Sequence, residues 1–344
     1  MIIPMRMFQN VKLRNFTRMV LQYVLPAGAV GYLIFEFSDL SLQQFRYWAD
    51  GVAKPAVFLG ILGSVILLSG VNWALEAAKW RFLSAKVESI SFWRALAGVL
   101  YAIGVGFITP RQVGELAGKV VVLQKQNQMK GLVLSSSGSF VQFCITFFMG
   151  HVGLFLGMIV LEASGASVFY QAVVGYSFFA TFLSILIIVY YKRIAQYFSK
   201  WKLPEYVVKA IQTAQLLSAR DFRFVFALSL LRYVIFLAQF HLLLLMLGAR
   251  VSPIESVVVL SITYLILLGI PISGILDSGI RGSVALFVFQ ILANERITAN
   301  VTSELTVVPA MISLWVINLA LPALAGAWIA FNGKFFSKPV SNHS

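Results

Sequence analysis

Asp277 and Arg281 stand four residues apart within residues 270–289, IPISGILDSGIRGSVALFVF, a stretch otherwise free of charge. Far upstream, residues 104–123, GVGFITPRQVGELAGKVVVL, carry Arg111, Glu115 and Lys119 at the same four-residue spacing. On a helix such spacing stacks side chains on one face. Both stretches are punctuated as if a helix breaks there, at Thr109, Pro110 and Gly114 in the first and at Pro271, Gly274 and Gly279 in the second. Pro110 suits a first helical position, with Thr109 as its cap. A helix that starts inside an apolar region presents free N–H groups and a positive dipole end, which suits a phosphate or other anion. Arginine matches such oxygens in two-pronged fashion. With Arg232, alone in a later apolar run, these residues form the candidate substrate-binding set: Arg111, Glu115, Lys119, Arg232, Asp277 and Arg281. Arg232 is expected either as a third cation of the site or as a partner for Glu115 or Asp277. A plainer reading stands beside this one. Glu115–Lys119 and Asp277–Arg281 could simply neutralise each other, because a lone charge at mid-bilayer costs about 2.5–3.5 kcal/mol even on the gentler scale. Both hold if a ligand competes for one partner.

Composition sets the surroundings of these charges. The 344-residue chain is 59% hydrophobic and only 12% charged, with mean hydropathy +0.86, which excludes a soluble globular domain. Several charge-free runs approach the ~20 residues that cross a bilayer. The fold class is an all-α polytopic membrane protein. Its net charge of +14 does not indicate nucleic acid, because the basic residues concentrate in a few short intervals, where they set topology beside anionic lipid. Glu76, Lys79 and Arg81 close an apolar run and read as snorkelling side chains at a helix end. A single cysteine, Cys144, allows no disulfide framework. His151 and His241 stand alone and read as polar packing, without metal-ligand spacing. The Gly114–Lys119 segment falls one residue short of a phosphate loop, and Val120 replaces its hydroxyl residue. No metal, cofactor or ATP site is expected, so transport would be downhill or ion-coupled.

Full spans are expected at about 19–35, 55–75, 132–161, 169–191, 224–247 and 305–333. The basic start precedes an uncleaved first span. The apolar runs 95–110 and 282–293 are short for a crossing, and 256–276 is interrupted by Pro271. Gly153 and Gly157 suit close helix packing. The apolar periodicity of Val207, Val208, Ile211, Ala214 and Leu217 predicts a short helix on the membrane surface within 204–218. Basic residues fall at the N-terminus, 79–94, 119–130, 192–223 and the C-terminal tail. If all are cytoplasmic, residues 94–130 begin and end inside, as a re-entrant hairpin or a pair of tilted helices. Residues 250–304 then begin and end outside. The order span, span, hairpin, span occurs twice, first starting inside and then outside. That is an inverted-topology repeat, 1–166 and 167–338, in one membrane domain spanning 1–344. It gives about six full spans, two broken hairpins and about eight to ten hydrophobic helices, with both termini cytoplasmic. Hairpins of two ordinary crossings would preserve the same parity.

At the two broken stretches the chain resembles the lysylphosphatidylglycerol synthase transmembrane-region family, also called flippase-like domain proteins. The family's first motif runs approximately Pro-Gly-x-x-Gly-Glu-x-x-Arg. Pro110, Gly114 and Glu115 match it, whereas Arg111 and Gly118 depart. Of the second motif, Pro271, Gly274, Gly279 and Arg281 match, and Gly282 stands where glutamate is expected. The resemblance implies a membrane domain that handles lipids, in some members moving a charged phospholipid between leaflets. Lys119 and Arg111 are the cations available to replace the one missing at Gly118. No aminoacyl-transferase domain is expected after the last span, so lysyl-lipid synthesis is not. The expected function is a lipid or polyprenyl-lipid translocase in a prokaryotic cytoplasmic membrane, its partners membrane lipids with an anionic headgroup. Two alternatives are a carrier of a small anionic solute and a membrane enzyme or accessory subunit acting on a lipid-linked substrate. An enzyme would want a clustered catalytic constellation, and the sequence offers scattered single candidates.

Overall fold

The computed structural model describes residues 46, 49–109, 113–160, 205–270, 276–294 and 304–332, with isolated positions 175, 186, 190 and 193. The described residues are mostly helical, without a strand. Four helical stretches are long and apolar enough to cross a membrane: Pro55–Ser84, Lys125–Gly157, Ala219–Met246 and Leu305–Phe331. Two apolar helices are shorter, Phe92–Phe107 and Pro253–Leu268. The chain is a multi-pass helical membrane protein. The expected spans at 19–35 and 169–191 lie outside the described residues.

Helix α1 (Pro55–Ser84) opens with a proline at its first position, where the missing N–H costs nothing. It runs nine residues beyond the expected span end at 75, since nothing in AKWRFLS breaks a helix. Glu76 and Lys79 therefore lie inside the helix instead of at its end. Both are buried, while Arg81 is exposed. Snorkelling to the surface fails for the first two.

Helix α2 (Phe92–Ile108), whose Ser91 N-cap accepts the Arg94 N–H at 3.3 Å, is followed by the eight-residue α3 (Val113–Val120). The two fold back on each other: Gly106 faces Glu115, Ala102 faces Gly118 and Gly98 faces Val122. A Cβ at Gly118 would run into the Ala102 backbone, so glycine is what permits this approach. At ~1.5 Å per residue α3 is only about 12 Å long, too short to cross. A 3-10 turn at Lys125–Asn127 leads into α4 (Gln128–Val160). The short amphipathic helix α5 (Glu205–Ala214) forms where periodicity placed it.

Capping boxes start the next two helices: Ser218 with Asp221 for α6 (Ala219–Met246), and Ser252 with Glu255 for α7 (Pro253–Leu268). Helix α8 (Leu276–Asn294) is longer than its apolar run of 282–293, because its first two turns carry Asp277, Gly279 and Arg281. Gly279 is thus helical, not a break. The last long helix is divided. Helix α9 (Glu304–Trp315) passes through a π-turn at Val316–Ala320 into α10 (Leu321–Asn332). Leu321 returns its N–H five residues, to Val316. Pro322 has no N–H to offer, and the freed Ile317 carbonyl accepts the Ser69 hydroxyl at 3.2 Å.

Helices α1 and α6 run antiparallel, with Lys79 opposite Ser229, Glu76 opposite Arg232 and Val65 opposite Gln239. Two further close pairings join opposite halves of the chain. Gly104 of α2 approaches Ala323 and Ala327 of α10, where Gly326 meets the Leu100 carbonyl. Gly150 and Gly153 of α4 admit Leu265 and Ser261 of α7. At one end of the bundle Ala53 N–H donates to Met246 O at 3.1 Å. At the other, Lys86 pairs with Asp221 at 2.9 Å, and Glu88 accepts from Gln124 N–H and Asn127 Nδ2, both at 2.9 Å. The basic interval 79–94, the interval 119–130 and the start of α6 share that end.

Candidate functional site

Glu76 is the hub of a buried ionic cluster between the halves. Its Oε1 lies 2.8 Å from Lys119 Nζ and its Oε2 lies 2.7 Å from Lys79 Nζ. Arg232 pairs with the same Oε2 through a terminal guanidinium nitrogen. Lys119 also reaches Glu115 Oε1 at 2.9 Å, the i,i+4 pair that spacing predicted. Each buried charge is thereby paired and hydrogen-bonded, which is what makes burial tolerable. Lys79 donates in addition to Ser229 Oγ at 3.4 Å.

Arg232 extends the cluster. Its Nε donates to Asn72 Oδ1 at 2.8 Å, and Asn72 Nδ2 donates to Asn318 Oδ1 at 3.4 Å. Asn318 sits in the π-turn, donates to Gln239 Oε1 at 3.1 Å and accepts the Ser69 hydroxyl at 3.0 Å. A continuous polar path thus runs from the α2–α3 hairpin to the last helix. Single-turn π-bulges inside α-helices recur at functional sites.

Opposite this path stands the second pair. Arg281 Nε lies 2.9 Å from Asp277 Oδ2, again i,i+4, and its guanidinium carbon lies 5.7 Å from the Tyr264 ring centre. Trp315 Nε1 donates to the same Asp277 oxygen at 3.2 Å.

Both groups border one cavity of about 370 Å³, whose walls include Glu76, Glu115, Arg232, Tyr264, Arg281 and Asn318. Side-chain exposure separates the roles. Glu115 is 34% exposed, Arg281 21% and Arg232 17%, whereas Lys119 is 4%, Lys79 3% and Asp277 3%. The first three present charge to the cavity; Lys119 holds Glu115 and Asp277 holds Arg281 from behind, while Lys79 pairs with Glu76, the partner of Arg232. Four cations (Lys79, Lys119, Arg232, Arg281) face three carboxylates (Glu76, Glu115, Asp277), an excess of one positive charge among the described residues.

Of the six residues expected from sequence, Glu115, Arg232 and Arg281 line the cavity, and Lys119 and Asp277 stand directly behind it. Arg111 lies outside the described residues, as do Pro110, Pro271 and Gly274. Arg232 pairs with Glu76, not with Glu115 or Asp277. Thr109 is the C-cap of α2, and its hydroxyl accepts the Gly114 N–H at 3.0 Å while donating to Val105 O at 3.0 Å, tying the hairpin tip together. Gly114 belongs to the first turn of α3. Asn72 and Asn318 were not singled out from the sequence, and Glu76 and Lys79 were read there as snorkelling side chains and not as site residues. The signal available was the spacing of 72, 76 and 79, one helical face. His241 Nδ1 meets Ser256 Oγ at 2.9 Å and His151 Nδ1 meets the Phe147 carbonyl, both packing roles. Among the described residues no group of side chains is arranged to hold a metal. No protein family, curated protein or solved structure matches the chain.

Proposed function

We propose that this protein is a lipid or lipid-linked-substrate translocase of a prokaryotic cytoplasmic membrane, which holds an anionic headgroup between two broken helical hairpins. One observation carries the reading. Glu115, from the hairpin α2–α3, and Arg281, from the pair α7–α8, border the same cavity. Charges at membrane depth face a bundle interior or a wet cavity and mark substrate paths. The excess positive charge favours an anion.

An inverted-topology repeat with re-entrant hairpins accounts for the packing. The equivalent helices α1 and α6 run antiparallel. The first helix of each hairpin lies against the closing helix of the other half, α2 on α10 and α7 on α4. A pseudo-two-fold axis in the membrane plane generates that exchange, and substrate sites of such folds lie near the midplane. The basic intervals that share one end give that end to the cytoplasm. Purified protein in vesicles, with a headgroup-labelled anionic lipid in both leaflets, tests the function by exposure of the inner pool to an impermeant quencher. Loss of the inner signal with wild type and its retention with Arg281→Gln is the expected result. Equal rates for wild type, Arg281→Gln and protein-free vesicles would refute the proposal.

A further inference from the structure

Resting on that reading, we propose that the headgroup is a polyol bearing a single negative charge, and that Glu115 recognises its hydroxyls. A bare anion fits only part of the cavity. Arg232 and Arg281 would welcome it, but Glu115, the most exposed charged side chain there, would repel it. Only Oε1 of Glu115 is bonded to Lys119, and Oε2 has no partner among the described residues. A ligand must bring a hydrogen-bond donor to this oxygen or leave it unmatched at a cost.

A hydroxyl and an ammonium could both supply the donor, and charge decides between them. Lys119 already neutralises Glu115, and among the described residues the set carries one excess positive charge. An ammonium-bearing zwitterion leaves that excess in place and adds a cation beside Lys119. A monoanionic polyol cancels it. The cavity walls favour the same group. Among the described residues Trp73 Nε1 and Gln142 Oε1 are buried without a partner, an unmatched donor and an unmatched acceptor lining the cavity. A hydroxyl both donates and accepts, so it serves either once a side-chain rotation opens the wall. At about 370 Å³ the space exceeds what a lone phosphate group needs and falls in the range of small-molecule pockets. Trp73, Phe236, Tyr264 and Trp315 supply the apolar faces that a ring polyol would lie against.

Native mass spectrometry of the purified full chain in detergent gives the test. The probes are phosphatidylinositol (monoanionic polyol), phosphatidylmethanol (same charge, no hydroxyl) and phosphatidylethanolamine (ammonium). Wild type should favour phosphatidylinositol over each by about tenfold or more, roughly 1.4 kcal/mol. Glu115→Gln should lower phosphatidylinositol affinity several-fold while raising that for phosphatidylmethanol, a crossing that a structural role for Glu115 would not produce. Water-soluble glycerophosphoinositol separates the sources of this chemistry. Weak competition by it supports a lipid-borne headgroup, and competition as strong as phosphatidylinositol itself supports the same polyol recognition on a free solute. Equal binding of phosphatidylinositol and phosphatidylmethanol overturns the polyol inference and leaves an anion-binding translocase standing. Preference for phosphatidylethanolamine overturns both, as does binding of none of the probes. Should Glu115→Gln fail to fold, the wild-type comparison alone still decides.

Discussion

Neutralising Glu76 would leave Lys79, Lys119 and Arg232 gathered around a side chain that no longer balances them. Breaking a buried ion pair from one side costs about 3–5 kcal/mol, so Glu76→Gln should lower the thermal midpoint sharply in detergent. Glu115 differs. It is a third exposed, and Lys119 keeps Glu76 when Glu115 is lost. Glu115→Gln should cost no more than about 1 kcal/mol, as for partly exposed pairs, while abolishing lipid movement. A midpoint for Glu115→Gln as low as that of Glu76→Gln would make its role structural. The two carboxylates also show which contacts a sequence reveals. Glu115–Lys119 and Asp277–Arg281 were legible because i,i+4 geometry is local to one helix. The Glu76–Arg232 pair joins residues 156 apart, and no spacing rule reaches that far. Arg232 was recognisable as a charge in need of a partner, but not whose partner it was.

Among elements, α2 and α10 meet closely at a glycine. A Cβ on Gly326 would fall onto the Leu100 carbonyl, whereas one on Gly63 of α1 meets open space. Overpacking of this kind costs about 1–3 kcal/mol. Gly326→Ala should therefore lower the thermal midpoint and slow lipid movement, while Gly63→Ala leaves both unchanged or gains slightly from helix propensity. Equal midpoints would mean that α2 and α10 are not in contact. Helix α2 ends at its C-cap Thr109 and α7 at its C-cap Gly269, each next to a Gly/Pro-rich stretch of the sequence. Helix lengths were less legible: α1 and α8 continue through charged turns because those charges find partners in protein, which hydropathy does not register. The π-turn at Val316–Ala320 was also invisible, since Pro322 signals an unmatched carbonyl and not the register that absorbs it.

At the scale of the whole molecule, the charge count and the packing bear on one topology. Three basic segments meet at one end of the bundle through Lys86–Asp221 and Glu88 with Gln124 and Asn127. With Cys144 replaced, single cysteines at Gln126 and Gln212 should react with an impermeant thiol reagent from the cytoplasmic side only, and one at Arg250 from the outer side only. Labelling of positions 126 and 250 from the same side would break the inverted repeat. The multi-pass class was legible from hydropathy alone, because bilayer thickness fixes the length of an apolar helix. That the two charged stretches share a cavity follows from the repeat pattern, and Glu115 and Arg281 do line one cavity; which helices complete its walls was not legible, since that depends on how α2–α3 and α7–α8 lean on their neighbours.

On the proposed reading, one cavity bordered by α2–α3 and α7–α8 receives an anionic lipid headgroup. Photo-crosslinking from a diazirine on the headgroup of phosphatidylinositol, with the full chain in vesicles and adducts mapped by mass spectrometry, tests it most directly. Adducts are expected on peptides from both walls, containing Ile103 or Glu115 on one side and Leu267, Leu268 or Arg281 on the other. They should disappear when unlabelled phosphatidylinositol is added in excess. Adducts confined to outward-facing residues such as Trp328 and Phe331, with none in either hairpin, would contradict the account.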